Sequence, residues 1–296
     1  MSLTRMRTFI EVFRQNSINK AAKSLNLTQP AVSQHIAALE VVVGYPLFER
    51  SSSGVVPTAA ATELALEIGD KLDAAEAALA AARARSMDIT GVLQVVGHAD
   101  FLAEILSEQL LPLLESGIKV RMHTGSREIV TSMLLEGHCD LGVSAYPVID
   151  NRLKSEKIYT TRALPVASPA VAERLNNAAD FTQAISEEPL LTYNLELTLI
   201  DRWLTKNRIN IDRVTPSMVS LDLRALRKLV ICGYGWTILP EFLCTEHLHS
   251  GKLAQLPSPI GTHEIDYYLI WLPSALRTAR VAHARQLLLN QKTLSQ

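Results

Sequence analysis

Cysteine is scarce in this sequence: Cys139, Cys232 and Cys244 are the only three in 296 residues, and no two form a CxxC pair. So odd and dispersed a set offers no disulfide framework and suits a reducing compartment, so the cytoplasm is the expected location. Long apolar runs are missing as well. Charges interrupt every extended hydrophobic stretch, and the N-terminal MSLTRMRTFIEVFRQ lacks an uninterrupted apolar centre. Neither a signal peptide nor a span of about 20 apolar residues is expected. Nor is there a surplus of one charge: the net value of -1 excludes a wholly basic coat. What is present is ordinary globular usage, 48% hydrophobic and 20% charged. It excludes wholesale disorder, a collagen-like repeat and a disulfide-dense mini-protein, and the length suggests about two domains.

Enzyme signatures are also lacking. There is no GxSxG elbow, HExxH or Walker loop, and Gly233-Tyr234-Gly235 lacks a third glycine and follows a helix pattern instead of a strand. No catalytic residue and no cofactor is expected. His247 and His249 flank one residue and are expected on a surface loop, not on a metal. Cys139 and Cys232 sit in apolar contexts and are expected to pack, with a redox role left open.

Charge is unevenly spread. Residues 1–58 hold six Lys/Arg against three Asp/Glu, while the remainder is net acidic. Such a head fits a polyanion partner of its own. Met6, Phe9, Ile10 and Phe13 recur at helical spacing and predict a first helix. Ser17 is placed to cap a second, INKAAKSLN, whose Ala21, Ala22 and Leu25 make a small apolar face. Thr28 is placed to cap a third, with Pro30 in its first turn and Val32, Ile36 and Leu39 facing inward. The other side of that helix presents Gln29, Ser33, Gln34 and His35, whose hydrogen-bonding groups suit base edges. Two short helices joined by a brief turn are the elements of a helix-turn-helix, although a merely solvated face explains the same residues equally. GYPLFERSSSGVVPT then predicts two short extended pieces about a Ser/Gly turn, a wing able to lie on a phosphate backbone.

The stretch AAKSLNLTQPAVSQHIAALE, followed by GYPLFER and the Pro57-Thr58 exit, resembles the N-terminal winged helix-turn-helix of the LysR-type transcriptional regulators. Two positions depart from the family's habit: Ser51, Ser52 and Ser53 stand where an additional basic residue is frequent, and Ala61 where glycine is common. The first implies fewer phosphate charges from the wing. The resemblance implies double-stranded DNA as partner, with helix three in the major groove. Gln29, Pro30, Ser33, Gln34 and His35 would lie at base edges or nearby backbone, and Ser17, Lys20, Thr28, Arg50 and Ser52 would fix phosphate register.

Beyond the head, Ala61, Ala65, Ile68, Leu72, Ala75, Leu79 and Ala82 alternate steps of four and three along one long helix. Its seam packs either on its own body or, as expected beside such a head, on a second copy; alanine there buries little area. The resemblance implies a linker helix that dimerises two heads. From Thr90 strand and helix patterns alternate through GVLQVVG, DFLAEILSEQLLPLLE, KVRMHTG, SREIVTSMLLEG and CDLGVSA. A second run holds RALPVAS, ALRKLVICG, WTILP and YYLIWLP before a final helix at 275 to 292. That predicts an α/β layout with a mostly parallel sheet. The resemblance supplies two similar subdomains crossed twice by the chain, of periplasmic-binding-protein type. The expected division is 1–58 for a winged helix-turn-helix, 59–89 for a linker helix and 90–296 for an effector-binding domain. Within the last, subdomain I takes about 90–161 plus 268–296 and subdomain II about 162–267.

In open α/β sheets ligands collect beyond the carboxyl ends of strands. Four such junctions are legible: His98-Ala99-Asp100-Phe101, Thr124-Gly125-Ser126, Ser144-Ala145-Tyr146-Pro147 and Thr192-Tyr193-Asn194-Leu195-Glu196. Thr124 and Ser126 either hold a carboxylate or simply cap a helix. Convergence of all four on one cleft is what the resemblance implies. GYGWTILPE at 233 to 241 resembles the family's GxGxxxLP segment, and its Trp236 and Glu241 are similar, more loosely, to the branch that senses basic amino acids. Asp100, Glu196 and Asp222 would suit a cationic side chain. The expected function is a ligand-responsive transcription regulator, a homodimer or dimer of dimers, with RNA polymerase as a further partner and no membrane contact. The competing class is a solute-binding protein or enzyme of the same α/β shape whose head makes only protein contacts.

Overall fold

Helix α1 (Leu3–Gln15) forms where the apolar spacing predicts it and turns Phe9, Ile10 and Val12 fully inward. The computed structural model describes residues 3–51, 54–84, 91–211 and 215–291, so expectations for Ser52 and Ser53 lie outside it. Helix α2 (Ile18–Leu25) starts at Ser17, whose hydroxyl accepts the Lys20 N–H at 3.3 Å, and stops at left-handed Asn26. Helix α3 (Gln29–Val43) is capped by Thr28 at 3.4 Å from the Ala31 nitrogen and ended by Gly44, φ 87°. Val32, Ile36 and Leu39 share one core with Ala21 and Ala22 of α2. Strands β1 (Phe48–Ser51) and β2 (Gly54–Pro57) pair antiparallel, Phe48 opposite Pro57. Gly54, at φ 144°, admits no side chain: a Cβ there would stand 2.8 Å from the Asn16 carbonyl oxygen.

Helix α4 (Ala59–Ala84) divides its apolar seam between two surroundings. The first half of its seam is spent inside its own chain: Ala61, Ala65 and Leu72 are buried in the head core, with Ile68 packed against it. Leu79 of the same seam is exposed. The reason is charge as well as shape, because Asp73 of α4 takes Arg7 of α1 at 2.8 Å on one carboxylate oxygen and Arg14 on both. Glu76 stands 3.0 Å from the other Arg7 nitrogen. Arg277, in a short turn at Pro273–Arg277, adds a longer-range contact to Glu11 and Glu76 at 3.9 and 3.7 Å. By contacts the described residues up to Gly91 form one compact unit with Val148–Lys154 and Trp271–Gln286. Val92–Pro147, Ser155–Ile270 and the residues from Leu287 form the other.

The second unit is built on a nine-stranded sheet. Its strands are β3 (Gly91–Gly97), β4 (Ile118–Thr124), β5 (Leu141–Ser144), β6 (Lys154–Ala167), β7 (Leu190–Thr192), β8 (Pro216–Val219), β9 (Trp236–Pro240), β10 (Ala254–Gln255) and β11 (His263–Trp271). Along the sheet they run β4-β3-β5-β11-β6-β9-β7-β8, with β10 beside β6. The sheet is mixed, not mostly parallel. β3 and β5 pair parallel, as do β9, β7 and β8, but β11 meets β5 and β6 meets β9 antiparallel. Local strand-helix alternation reports only the parallel units; the two long central strands are where the chain passes between them. DFLAEILSEQLLPLLE is helical but broken, with a π-helical turn at Leu102–Leu106 and a restart at Leu111 beside Pro112. His247 and His249 lie on the helix Glu241–His249, not on a loop, and Cys232 is exposed while Cys139 and Cys244 are buried. No helix among the described residues is long and apolar enough to cross a membrane.

Asp73 is only 10% exposed and serves two guanidiniums. Asp73→Asn leaves Arg14 without a counter-charge and Arg7 with Glu76 alone, and should cost about 3 kcal/mol, read as a lower urea midpoint of the full-length protein. Asp70→Asn on the same helix removes only the pair with Lys154, made by a carboxylate that is 77% exposed. That change should cost less than about 1 kcal/mol.

Candidate functional site

On the head, the start of α2, the outer side of α3 and the start of β2 enclose one groove lined by Ser17, Ile18, Asn19, Gln29, Ser33, Gly54 and Val55. Lys20, Thr28, Gln29, Pro30 and Gln34 are exposed around it and Ser33 is half-buried. Arg50 lies in β1, with its side chain outside the described residues, as is the whole of Ser52. A hydroxyl and an amide at one helix start, backed by a lysine, are the donors and acceptors that major-groove edges and phosphates require. His35 differs from expectation. Its Nδ1 stands 2.9 Å from the Thr8 hydroxyl of α1, and that hydroxyl already donates to the Thr4 carbonyl. The imidazole therefore donates through Nδ1 and is held against α1 on that side. Arg7 and Arg14, counted in the basic head, are likewise consumed by Asp73.

In the second unit the carboxyl ends of β3, β5, β7 and β9 surround a pocket of about 510 Å³, counting the open space at its mouth. His98 and Asp100 follow β3, Ala145 and Tyr146 follow β5, Thr192 to Asn194 follow β7, and Pro240 ends β9. Thr198, Leu199 and Leu223 from helix starts and Ile265 and Tyr267 from β11 complete the wall. Three of the four junctions named from sequence thus converge, contributing Asp100, Tyr146, Tyr193 and Asn194. The fourth does not: Thr124, Gly125 and Ser126 lie off the wall, and the Ser126 hydroxyl donates to Glu128 at 2.6 Å.

Other sequence-named residues have different duties. Phe101 is fully buried behind the wall, stacked on Tyr267 at 4.1 Å. Trp236 is buried against Trp203, not on the pocket. Its GYGW turn has a backbone cause, since Gly235 has φ 64° and a Cβ would come 2.0 Å from the Pro189 carbonyl oxygen. Asp222 caps the helix Leu223–Ile231 and grips Arg224 through both oxygens at 2.9 and 2.8 Å, so its charge is already matched. Glu196 is exposed beside Asn194 and off the wall. His98 stood in a junction legible in the sequence without being given a role there, and Tyr267 is among the wall residues that the sequence reading did not name. His98 was signalled by the end of β3, whereas Tyr267 comes from a central antiparallel strand that a strand-end rule does not reach.

Polar chemistry on this wall is concentrated in two buried side chains. Asp100 is 1% exposed and neither carboxylate oxygen has a hydrogen-bond partner among the described residues. Burial pushes its carboxyl up to about 6, with the nearby Asp100 and Phe101 N–H groups and Arg224 pulling partly back. His98 shares a 2.9 Å hydrogen bond between Nδ1 and the Tyr193 hydroxyl, and its Nε2 is also buried without a partner. Burial lowers this imidazole to about 4 against a smaller opposing pull from Glu128, so it is neutral near pH 7. Buried polar atoms without partners are rare and require a cause.

A helix-turn-helix head followed by an α/β unit with such a pocket has the build of a DNA-binding regulator. Residues 3–62 match the family described as bacterial regulatory helix-turn-helix protein, lysR family, and residues 90–293 match the LysR substrate binding domain. The chain belongs to the LysR family of transcriptional regulators. It is 28% identical to the HTH-type transcriptional regulator AbaB of Streptomyces antibioticus over 99% of each chain. Its fold is similar to that of CrgA, a LysR-type regulator from Neisseria meningitidis, with TM-score 0.61 and 19% identity over 99% of each chain. It is also similar to LysG of Corynebacterium glutamicum, solved with bound effector Arg, with TM-score 0.52 and 19% identity over 97% of this chain and 99% of that one. These relatives are transcriptional regulators, not enzymes.

The two buried groups make opposite contributions to stability. Asp100, raised from 3.8 to about 6, keeps its proton longer in the fold, so its contribution is present at pH 3.8 and lost as the pH rises through 6. His98, lowered from 6.5 to about 4, contributes above pH 6.5 and loses this as the pH falls through 4. Between those limits they oppose each other. Asp100→Asn should unmask the histidine, with stability climbing by about 3 kcal/mol from acid to neutral pH. His98→Gln should give a fall of about the same size; urea titrations across the range check both signs.

Proposed function

We propose that this chain is a ligand-responsive regulator whose head grips double-stranded DNA through the groove between α3 and the β1–β2 wing. Residues 1–58 would serve as the DNA-binding domain, 59–89 as linker and dimerisation helix, and 90–296 as the effector-binding domain of a homodimer that pairs further. Gln29, Ser33 and Gln34 read base edges, with Pro30 at the helix start; Ser17, Lys20, Thr28, Arg50 and Ser52 set phosphate register. A small molecule of amino-acid class occupies the pocket and presents a cation or hydrogen-bond donor to Asp100 and His98. The observation that carries the ligand is the pair of buried groups on one wall whose Oδ1, Oδ2 and Nε2 atoms have no partner. That LysG, a protein of similar fold, takes arginine as its effector accords with this class. For regulation the ligand must bind two arrangements of the oligomer with different affinity.

Gln29→Ala should cost about 1–3 kcal/mol on the cognate site and relax specificity, while Arg50→Ala should weaken every sequence alike and shallow the salt slope. Fluorescence anisotropy on cognate and random duplexes at several salt concentrations separates the two. Equal loss on both duplexes for Gln29→Ala would discard the base-reading role. For the pocket, L-arginine or L-lysine should raise the melting temperature of the wild type and leave that of Asp100→Asn unmoved.

A further inference from the structure

We propose that the pocket takes its effector in competition with a proton on Asp100, so that the regulator answers the same effector concentration more weakly in acid than at neutral pH. This regulation rests on the proposed binding of a cation at Asp100. The carboxyl group is 1% exposed and stands on the pocket wall, and neither oxygen has a side-chain partner among the described residues. Arg224, the cation whose charge reaches it, already holds Asp222 through hydrogen bonds of 2.9 and 2.8 Å. Arg227 of the same helix stands 3.6 Å from Glu104. An ionised Asp100 therefore has no cation of its own among the described residues. A buried carboxylate in that position takes a proton instead, and a ligand ammonium or guanidinium must displace it.

The exchange falls close to neutrality because burial pushes this carboxyl up to about 6, with its own N–H and that of Phe101 pulling partly back, Asp222 pushing up and Arg224 pulling down. Its titratable neighbours do not change charge there. His98, at the end of β3, is lowered by burial to about 4. Tyr146, Tyr193 and Tyr267 on β5, β7 and β11 ends or walls are phenols, a class neutral in this range, and burial raises Tyr193 and Tyr267 further. Asp222 is held low by its bond to Arg224, and Glu128, whose charge reaches His98 and Tyr193, by the Ser126 hydroxyl. Below pH 6 most Asp100 side chains carry the proton, so a cation finds only a minority of competent sites. Its affinity then falls about tenfold from pH 7 to pH 5.

Calorimetric titration of the full-length protein with L-arginine and L-lysine, neither of which changes charge between pH 5 and 8, tests the exchange. The Kd should be about tenfold higher at pH 5 than at pH 7 and level from pH 7 to pH 8. At pH 6 about half a proton should leave per ligand bound, read from the binding enthalpies in two buffers of unlike ionisation heat. That count is taken at a pH where the fold is secure, so it stands even if the protein loosens at pH 5. His98→Gln should keep both the slope and the proton release. The coupling is overturned if the Kd is the same at pH 5 and pH 7, if binding strengthens in acid, if no proton leaves at pH 6, or if His98→Gln removes the pH dependence and so assigns the proton to the histidine. In each of those cases Asp100→Asn still loses the ligand. Failure of the cation role itself has a separate signature, which overturns both: the wild type binds neither amino acid at any of these pH values, or Asp100→Asn binds them as tightly as the wild type does.

Discussion

One buried carboxylate governs how the N-terminal part of this chain is put together. Asp73 lies on α4, yet both of its strong partners, Arg7 and Arg14, lie on α1. A carboxylate taken out of water is tolerated only if its charge is met, and two guanidiniums meet it here from one helix face. The first half of the apolar seam of α4 then faces the head, where Ala61, Ala65 and Leu72 join the core of Phe9 and Ile10. The same pairing lowers the charge available for phosphate, because two of the six cations in the head are turned inward. What remains exposed around α3 is a small set of polar groups with Lys20 beside them.

The second unit poses the opposite electrostatic problem. At Asp100 a carboxylate is buried with no side-chain partner bonded to it among the described residues, and at His98 a neutral imidazole keeps one nitrogen idle. Packing around them is otherwise complete: Phe101, Tyr159, Phe242 and Tyr267 form an aromatic cluster immediately behind the wall. Buried polar atoms without partners also occur at Arg7, Trp236 and His263, but Asp100 and His98 are the ones that line the pocket, where a complementary ligand would offset their cost.

Much of this was legible in the residues. Helix caps at Ser17 and Thr28, the proline in the first turn of α3 and the hairpin glycine follow from local chemistry, and each stands where its pattern places it. Three strand-end junctions were also visible, because the rule that ligands gather there needs only the alternation of elements. What was hidden depends on contacts distant in sequence. The seam of α4 has the same period whether it faces a second copy or its own head, and only the contacts of Asp73 with Arg7 and Arg14, distant in sequence, show that its first half lies on the head. The matched charge of Asp222 needed its arginine's geometry, as did the internal bond of His35. Trp236 stood in a segment of family likeness, but its backbone and not its ring explains that segment.

Chain connectivity supplies the remaining step from pocket to head. Tyr146 lines the pocket, and directly after it the segment Val148–Lys154 belongs to the first unit. Tyr267 lines it too, on a strand whose continuation from Trp271 again belongs to the first unit and carries Arg277 to Glu11 and Glu76. Two pocket walls are thus joined by short lengths of covalent chain to segments of the first unit. Such tethers transmit nothing by proximity alone; they matter only if the ligand favours one of two discrete arrangements of those walls.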